Sequence, residues 1–205
     1  MKLYGRYQSP YVRRVAISMQ MMGIPFEHDP VPVFDQPETV REFNPVIRIP
    51  TLVLDDGEAL VESWAILDWL DEQAGDKRLT PASGIPRRDV MKATALALGT
   101  IDRLVWAAYE GRFHPKEKVH QPWVLHNEER AMGGFKWLDG LAEKAGDAGW
   151  LCGTGGPSQA DVTAGIAVTF ARWARPELPV AKACPALARF SARMEETDAF
   201  RTCTF

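Results

Sequence analysis

Residues 44–66 read NPVIRIPTLVLDDGEALVESWAI. Within this stretch, two short apolar runs, Thr51–Leu54 and Ala59–Val61, flank the residues DDG at 55–57. This arrangement predicts a β-hairpin, because glycine tolerates the positive φ that tight hairpin turns need. A helical pattern of apolar residues then begins at Ser63. The stretch therefore predicts two paired strands followed directly by a helix.

The residues before this stretch alternate between strand-like and helix-like patterns. Lys2–Gly5 and Phe26–Val33 predict strands. Apolar residues at helical spacing predict a helix from Val12 to Met22, and Pro37–Phe43 predicts a short helix. The order strand, helix, strand, helix, hairpin, helix is typical of a mixed sheet covered by helices. We therefore predict an α/β domain over residues 1–76.

The pattern changes in the second part of the chain. Residues 77–85 contain proline and glycine and predict a linker. From residue 86 to residue 205 apolar side chains recur at helical spacing, and no alternating strand pattern follows, so we predict an all-helical domain. The residues SQAD at 158–161 form a variant of the capping box at the start of one of these helices, which indicates a role in folding rather than in chemistry.

Composition and charge narrow the function classes. Apolar residues make up 46% and charged residues 25% of the 205 residues, which is typical of a soluble globular protein. The formal net charge of −3 gives no basic face for a nucleic-acid partner. No apolar run is long enough to cross a membrane. Residues 1–11 lack the apolar run of a signal peptide, so we expect a cytoplasmic location.

Cysteine and histidine spacing indicates neither a disulfide framework nor a metal site. The three cysteines are widely spread, at positions 152, 184 and 203. Three of the histidines recur every six residues, at positions 114, 120 and 126. On a helix this step turns each side chain about 240° from the last, so they cannot share a face as ligands. We therefore expect no bound metal.

Four local signatures stand in order along the chain. They are SPYVRRV at 9–15, NPVIRIPTL at 44–52, ESWAI at 62–66 and GPSQADVT at 156–163. Together they resemble the soluble glutathione transferase superfamily, and the resemblance spans essentially the whole chain. It implies a thioredoxin-like N-terminal domain, an all-helical C-terminal domain and a homodimer. It also implies that glutathione is the co-substrate and that its thiolate attacks a small electrophile.

The resemblance makes Ser9 the catalytic hydroxyl. From the residues alone, Ser9 and Pro10 could simply begin a helix. A free cysteine thiol has a pKa of about 8.5, so little of it is ionised at neutral pH. A hydroxyl that donates to the sulfur at a helix N-terminus favours the thiolate. Tyr7 is the fallback for this role, and the absence of a cysteine near Ser9 in sequence argues against the thiol–disulfide branch of the family.

The remaining motif residues would hold glutathione. The resemblance implies a cis bond between Ile49 and Pro50 that presents the Ile49 backbone to the cysteinyl unit, although the proline could otherwise be an ordinary edge-strand residue. It implies that Ser63 grips the γ-glutamyl carboxylate and that Glu62 is a candidate partner for the γ-glutamyl amine. Arg48 is a candidate partner for a glutathione carboxylate, or a solvated side chain.

The second substrate is less defined by the sequence. Trp106, Tyr109 and Phe113 are candidates to line an acceptor pocket between the two domains, and packing in the core or in a dimer is the alternative. Two other functions stay open. One is a glutathione-dependent isomerase, dehalogenase or peroxidase on the same scaffold, and the other is a non-catalytic interaction module of the same fold.

Overall fold

The computed structural model describes residues 1–205, which divide into two compact units. Met1–Thr80 together with Glu196–Phe205 form the first unit, and Pro81–Glu195 form the second. The first unit combines strands with helices and the second is entirely helical, which confirms the predicted fold class. None of the helices is both long enough and apolar enough to span a membrane.

The first unit contains a four-stranded sheet and four α-helices. Its elements in chain order are β1 (Lys2–Tyr4), α1 (Pro10–Met22), β2 (Glu27–Asp29), α2 (Glu38–Arg41), β3 (Thr51–Val53), β4 (Ala59–Val61), α3 (Ser63–Ala74), a 3₁₀ turn (Gly75–Lys77) and, from the C-terminus, α9 (Asp198–Thr202). The strand order is β2-β1-β3-β4, with β1 parallel to β2 and the other pairs antiparallel. This is the mixed sheet that the sequence pattern predicts, in the thioredoxin-like arrangement that the family resemblance implies.

Alternation along the strands separates two apolar layers. Leu3 of β1 lies opposite Leu52 of β3, and both are fully buried. Because successive strand residues point to opposite faces, Tyr4 belongs to the other layer. There it packs with Val31, Val33 and Val40. The helix α1 contacts α3 within this unit.

Proline explains why the second strand is shorter than predicted. The sequence predicts a strand over Phe26–Val33, whereas β2 ends at Asp29. Pro30 and Pro32 follow, and neither has the N–H that a ladder requires. The short helix α2 is likewise two residues shorter at its C-terminal end and one at its N-terminal end than the predicted span. The hairpin and the start of α3 at Ser63 lie where the sequence predicts them.

The second unit is built from five helices. They are α4 (Gly84–Phe113), α5 (Gln121–Ala145), α6 (Gln159–Ala174), α7 (Val180–Ala183) and α8 (Pro185–Glu195), with a 3₁₀ turn (Lys116–Lys118) before α5. The long helix α4 packs against α5 and α6, and most residues of α6 are buried. Helix α4 begins inside the span that the sequence predicts as a linker, since a proline is tolerated in the first turn of a helix.

The capping box that the sequence predicts at the start of α6 is confirmed. The backbone N–H of Ser158 donates to Oδ2 of Asp161 at 2.8 Å, and the Ser158 hydroxyl donates to the same oxygen at 2.5 Å. The other oxygen, Oδ1, accepts from the backbone N–H of Leu151 at 2.8 Å. Asp161 is fully buried, so this carboxylate also fixes the loop before the helix.

The last ten residues pack with the α/β unit. The helical pattern of residues 196–205 predicts that they belong to the helical domain, and this prediction is wrong. In the structure, the buried guanidinium of Arg13 donates through Nε to the carbonyl of Cys203 at 2.8 Å. Arg13 also lies over the rings of Phe200 and Phe205, each 5.3 Å from the ring centroid. These contacts join the chain terminus to α1.

Candidate functional site

Three segments of the first unit form the candidate site. They are the loop from Gly5 to Ser9, the loop before β3 and the start of α3. Gly5 has a φ of 122°, and a Cβ at this position would lie 2.6 Å from Cγ2 of Val12 and 2.9 Å from Cβ of Ile49. Only glycine allows such a close approach of α1 and the Ile49 loop to the end of the strand.

Ser9 caps the first helix. It has extended backbone angles, and its Oγ accepts a hydrogen bond from the N–H of Val12 at 3.4 Å. Pro10 occupies the first helical position, where its missing N–H costs nothing. Because the hydroxyl oxygen accepts this bond, its own hydrogen remains available for donation to a ligand. The helix N-terminus adds positive potential at the same point.

A buried asparagine shapes the loop before β3. Nδ2 of Asn44 donates to the carbonyl of Arg48 at 3.0 Å, and the hydroxyl of Thr51 donates to the same carbonyl at 2.9 Å. Oδ1 of Asn44 accepts from the N–H of Val46 at 3.1 Å. Ile47 has a φ of 50°, which is an outlier for a β-branched residue. The loop therefore has one fixed shape, held by side-chain bonds to its own backbone.

At Ile49 this loop leaves a backbone segment that makes no hydrogen bonds within the chain. The peptide bond between Ile49 and Pro50 is cis, as the resemblance implies. Neither the N–H nor the carbonyl of Ile49 is hydrogen-bonded to another group of the chain. Ile49 is partly buried, and Pro50 behind it is buried. An extended ligand with a peptide bond can therefore pair with Ile49 as a neighbouring strand would.

The start of α3 presents donors and an ion pair. Glu62 has a φ of 68°, and it and Ile47 are the two residues other than glycine with positive φ in the chain. Such outliers cost about 1–3 kcal/mol each and cluster at ligand sites. Nη1 of Arg48 pairs with Oε1 of Glu62 at 2.6 Å, which brings two of the predicted site residues together. Ser63 begins the helix, so its first-turn N–H groups lack intrahelical partners and suit an anion.

A buried arginine lies behind Ser63. Nη1 of Arg14 donates to Oγ of Ser63 at 3.2 Å, and the guanidinium lies 5.4 Å from the ring centroid of Trp64. Burial lowers the pKa of Arg14 to about 9, and the charges of Tyr11 and Asp71 oppose this shift. Arg14 is therefore still charged at neutral pH, and it adds positive potential at the start of α3.

Tyr7, the alternative catalytic hydroxyl, is engaged elsewhere. Burial raises the pKa of Tyr7, and the neighbouring Cys203 side chain raises it further. The Tyr7 ring stacks on His28, with centroids 4.0 Å apart. A cysteine therefore does lie near this loop in space, although none is near it in sequence. Burial raises the pKa of Cys203 to about 11, so it is a thiol rather than a thiolate at neutral pH.

The three aromatic residues predicted for the acceptor lie in the second unit. Trp106, Tyr109 and Phe113 follow one another along the C-terminal part of α4. Trp106 and Phe113 are each 54% exposed, and Tyr109 is 37% exposed. The rings of Tyr109 and Phe113 meet edge to face at 5.1 Å. They form an aromatic surface on that helix, so packing in the core of the unit does not account for them.

Sequence reasoning missed several residues that shape the site. Asn44, Gly5 and Arg14 were not singled out. Arg14 carried a usable signal, because it and Arg13 interrupt an otherwise apolar helix and arginines are rarely buried without partners. No group of three or more histidine, cysteine or acidic side chains in the structure could hold a metal ion.

Comparisons with known proteins show which chains this one resembles. The family described as "Glutathione S-transferase, N-terminal domain" matches residues 3–78. The GST-like protein YibF of Escherichia coli K12 is 32% identical over 140 residues, which are 68% of this chain and 69% of that protein. Maleylacetoacetate isomerase of Pseudomonas aeruginosa is 29% identical over 171 residues, which are 79% of this chain and 77% of that protein.

A solved structure matches nearly the whole chain. It is a glutathione S-transferase of Methylobacillus flagellatus KT with glutathione bound, and it is 28% identical to this chain. The TM-score is 0.90, and the match covers 99% of this chain and 98% of that one.

Proposed function

Because this chain belongs to the soluble glutathione transferase superfamily, we propose that its first unit binds glutathione and activates the thiol for attack on a small electrophile. The observation that carries the proposal is the convergence at Gly5. There the Ser9 loop, the start of α1 and the unpaired backbone of Ile49 come together. These are the groups needed to hold a short thiol peptide with its sulfur near a hydroxyl.

Ser9 keeps the bound sulfur ionised. Its hydroxyl hydrogen donates to the thiolate, while its oxygen accepts from the N–H of Val12. A hydrogen bond to a charged group is worth about 1.5–3 kcal/mol, which corresponds to about one to two pKa units of the thiol. Lowering a thiol pKa from about 8.5 by this amount makes a large fraction nucleophilic at neutral pH.

The other predicted residues bind the peptide parts of glutathione. The N–H and carbonyl of Ile49 pair with the cysteinyl unit, and Pro50 fixes their direction. The hydroxyl of Ser63 and the first-turn N–H groups of α3 hold the γ-glutamyl carboxylate, with the buried charge of Arg14 behind them. The carboxylate of Glu62 accepts a hydrogen bond from the γ-glutamyl amine. Arg48 forms an ion pair with Glu62 and so holds the Glu62 carboxylate in place.

We expect the electrophilic substrate to have an apolar part. Trp106, Tyr109 and Phe113 offer exposed aromatic surface on α4, and such surface favours an aromatic or aliphatic acceptor. The enzyme is proposed to work as a homodimer, which is the commonest oligomer of soluble proteins.

Calorimetric titration with glutathione tests the binding part of this proposal. We expect binding by the wild type and much weaker binding by Ser63→Ala. Ser191→Ala is the matched control, because Ser191 is also a buried serine but lies in the second unit and donates to the carbonyl of Gly165. A wild type that binds no glutathione, or equal affinities in the two variants, would contradict the assignment. Turnover of an activated aryl chloride then tests the transfer reaction.

A second candidate is a glutathione-dependent isomerase. It is favoured by the 29% identity to maleylacetoacetate isomerase of Pseudomonas aeruginosa, which extends over 77% of that protein. An isomerase returns the thiol unchanged, whereas a transferase consumes it. The assay therefore follows maleylacetoacetate and free thiol together. Loss of the substrate at constant thiol supports the isomerase, and thiol consumption with other electrophiles supports the transferase.

A further inference from the structure

We propose that the C-terminal segment, Glu196–Phe205, holds the loop that carries Ser9 in place through two positioning residues, Tyr7 and Arg13. The inference rests on the proposed role of Ser9. Tyr7 precedes Ser9 by two residues and Arg13 follows it by four, so the two anchors flank the catalytic hydroxyl. Both side chains contact the C-terminal segment, which is nearly two hundred residues away in sequence.

Arg13 is the first anchor. Its Nε donates to the carbonyl of Cys203 at 2.8 Å, and its Nη2 lies 3.5 Å from the carbonyl of Phe200. Both carbonyls lie at the C-terminal end of α9, where Cys203 is the capping residue, and the carbonyl of Phe200 also accepts from the backbone N–H of Cys203 at 3.1 Å. The guanidinium is 1% exposed and also stacks on the rings of Phe200 and Phe205. Charge-assisted bonds in such a buried place are strong, so they fix the orientation of α1 against the segment.

Tyr7 is the second anchor. Its phenol neighbours the side chain of Cys203, which is fully buried and belongs to the C-terminal segment. The ring is held from the other side by stacking on His28, whose Nε2 donates to the carbonyl of Gly5 at 2.7 Å. The loop between Gly5 and Ser9 is therefore fixed to β2 through His28 and to the C-terminal segment through Tyr7.

Ser9 needs this support because its own bonds are few. Its N–H donates to the carbonyl of Arg6 at 3.0 Å, and its carbonyl accepts from the N–H of Arg13 at 2.9 Å. The side-chain bond from Val12 is long, at 3.4 Å. A catalytic group has to be held within about 0.5 Å of its productive place. The anchors on either side supply that restraint without touching the substrate.

Three variants test the proposal. Cys203→Ala removes the sulfur beside the Tyr7 hydroxyl and leaves Tyr7 intact. Tyr7→Phe removes a single oxygen from a partly buried ring, and it serves should Cys203→Ala be too unstable to purify. Cys184→Ala is the matched control, because Cys184 is equally buried but lies in the second unit. Thermal unfolding first establishes that each variant is folded.

Amide hydrogen exchange of the free protein is the first readout. We expect the amides of residues 6–13 to exchange at least severalfold faster in Cys203→Ala and Tyr7→Phe than in the wild type, with no change in Cys184→Ala. Exchange in these residues that matches the wild type in both variants would overturn the proposal. This readout does not require glutathione.

Titration of the bound thiolate by its ultraviolet absorbance is the second readout. We expect the thiolate fraction at neutral pH to fall about threefold to tenfold in both variants, since a pKa change of one unit corresponds to tenfold. The affinity for glutathione should stay within about twofold, because the groups that hold the peptide are unchanged. In a Ser9→Ala background the same two substitutions should not lower the thiolate fraction any further, since they act through Ser9.

The outcomes separate this inference from the proposed function. A wild type without glutathione-dependent thiolate absorbance would contradict the proposed function, and the inference would fall with it. Normal thiolate in the wild type and in both variants would contradict the inference alone. Tyr7→Phe could also lower the thiolate fraction equally with and without the Ser9 hydroxyl. That result would show that Tyr7 contacts the sulfur directly, and it would also overturn the positioning role.

Discussion

Replacing Gly5 with alanine tests whether the segments of the candidate site meet at one point. With a φ of 122°, this position strains any L-residue by about 1–3 kcal/mol. The added Cβ would lie 2.6 Å from Cγ2 of Val12 and 2.9 Å from Cβ of Ile49. Overpacking of this kind costs about another 1–3 kcal/mol. We therefore expect the free energy of unfolding to fall by about 2–6 kcal/mol in Gly5→Ala.

A second glycine separates the two contributions. Gly57 in the hairpin turn has a φ of 91°, and a Cβ there would meet nothing within 4 Å. Gly57→Ala should therefore lose only the backbone term of about 1–3 kcal/mol. Combining Gly5→Ala with Val12→Ala removes the nearest clashing methyl group, so it should relieve part of the contact term although it costs some core packing of its own.

Urea unfolding gives the stabilities, and calorimetry under conditions where each variant is folded gives the affinity for glutathione. The Ile49 backbone has to move to admit the new methyl group, so we expect the Kd to rise about tenfold in Gly5→Ala, or about 1.4 kcal/mol. It should not change in Gly57→Ala. Equal stability losses in the two glycine variants, or an unchanged Kd in Gly5→Ala, would refute the convergence of the site at Gly5.

Three other predictions address the cap, the γ-glutamyl site and the assembly. Asp161→Ala should lower the free energy of unfolding by about 3–5 kcal/mol in urea, because the buried N–H groups of Leu151 and Ser158 and the Ser158 hydroxyl all lose their acceptor. Asp161→Asn, which keeps one acceptor oxygen, should lose less, and a loss as large as that of the alanine variant would contradict this account. Ser63→Ala should raise KM far more than it lowers kcat, because the γ-glutamyl end is the same in ground and transition states; a lower kcat at normal KM would place Ser63 in the chemistry instead. Sedimentation at micromolar concentration should give about twice the chain mass of 22.9 kDa, and a monomer would refute the dimer without touching the enzyme.

Local patterns predict much of the α/β unit. The hairpin around residues 55–57 and the start of α3 at Ser63 follow from turn chemistry and helical periodicity, and both lie where the sequence places them. The predicted length of β2 was wrong because Pro30 and Pro32 lack the N–H groups that would continue the strand, although the apolar pattern extends past them. The cis bond before Pro50 came only from the family resemblance, since no local pattern distinguishes it from the far more common trans form.

The contacts that complete the site join residues far apart in sequence, and local sequence patterns do not predict such contacts. Arg14 reaches Ser63 across forty-nine residues, and Tyr7 meets Cys203 at the far end of the chain. The C-terminal segment has a helical pattern like that of the second unit, so periodicity alone cannot assign it to the first. Its position follows from buried hydrogen bonds of Arg13, which only the folded chain brings together.

The proposed role of Ser9 is to activate the sulfur of bound glutathione, and ultraviolet titration of the thiolate measures this effect. Ser9→Ala removes the donor at nearly constant volume. We predict that the pKa of the bound thiol rises by about one to two units in this variant, the worth of one charge-assisted hydrogen bond. Turnover near neutral pH should fall by about tenfold to a hundredfold and recover as the pH rises, because the thiol then ionises without help. A thiol pKa that is the same in Ser9→Ala as in the wild type would contradict the claim, and a raised value in Tyr7→Phe alone would transfer the role to Tyr7.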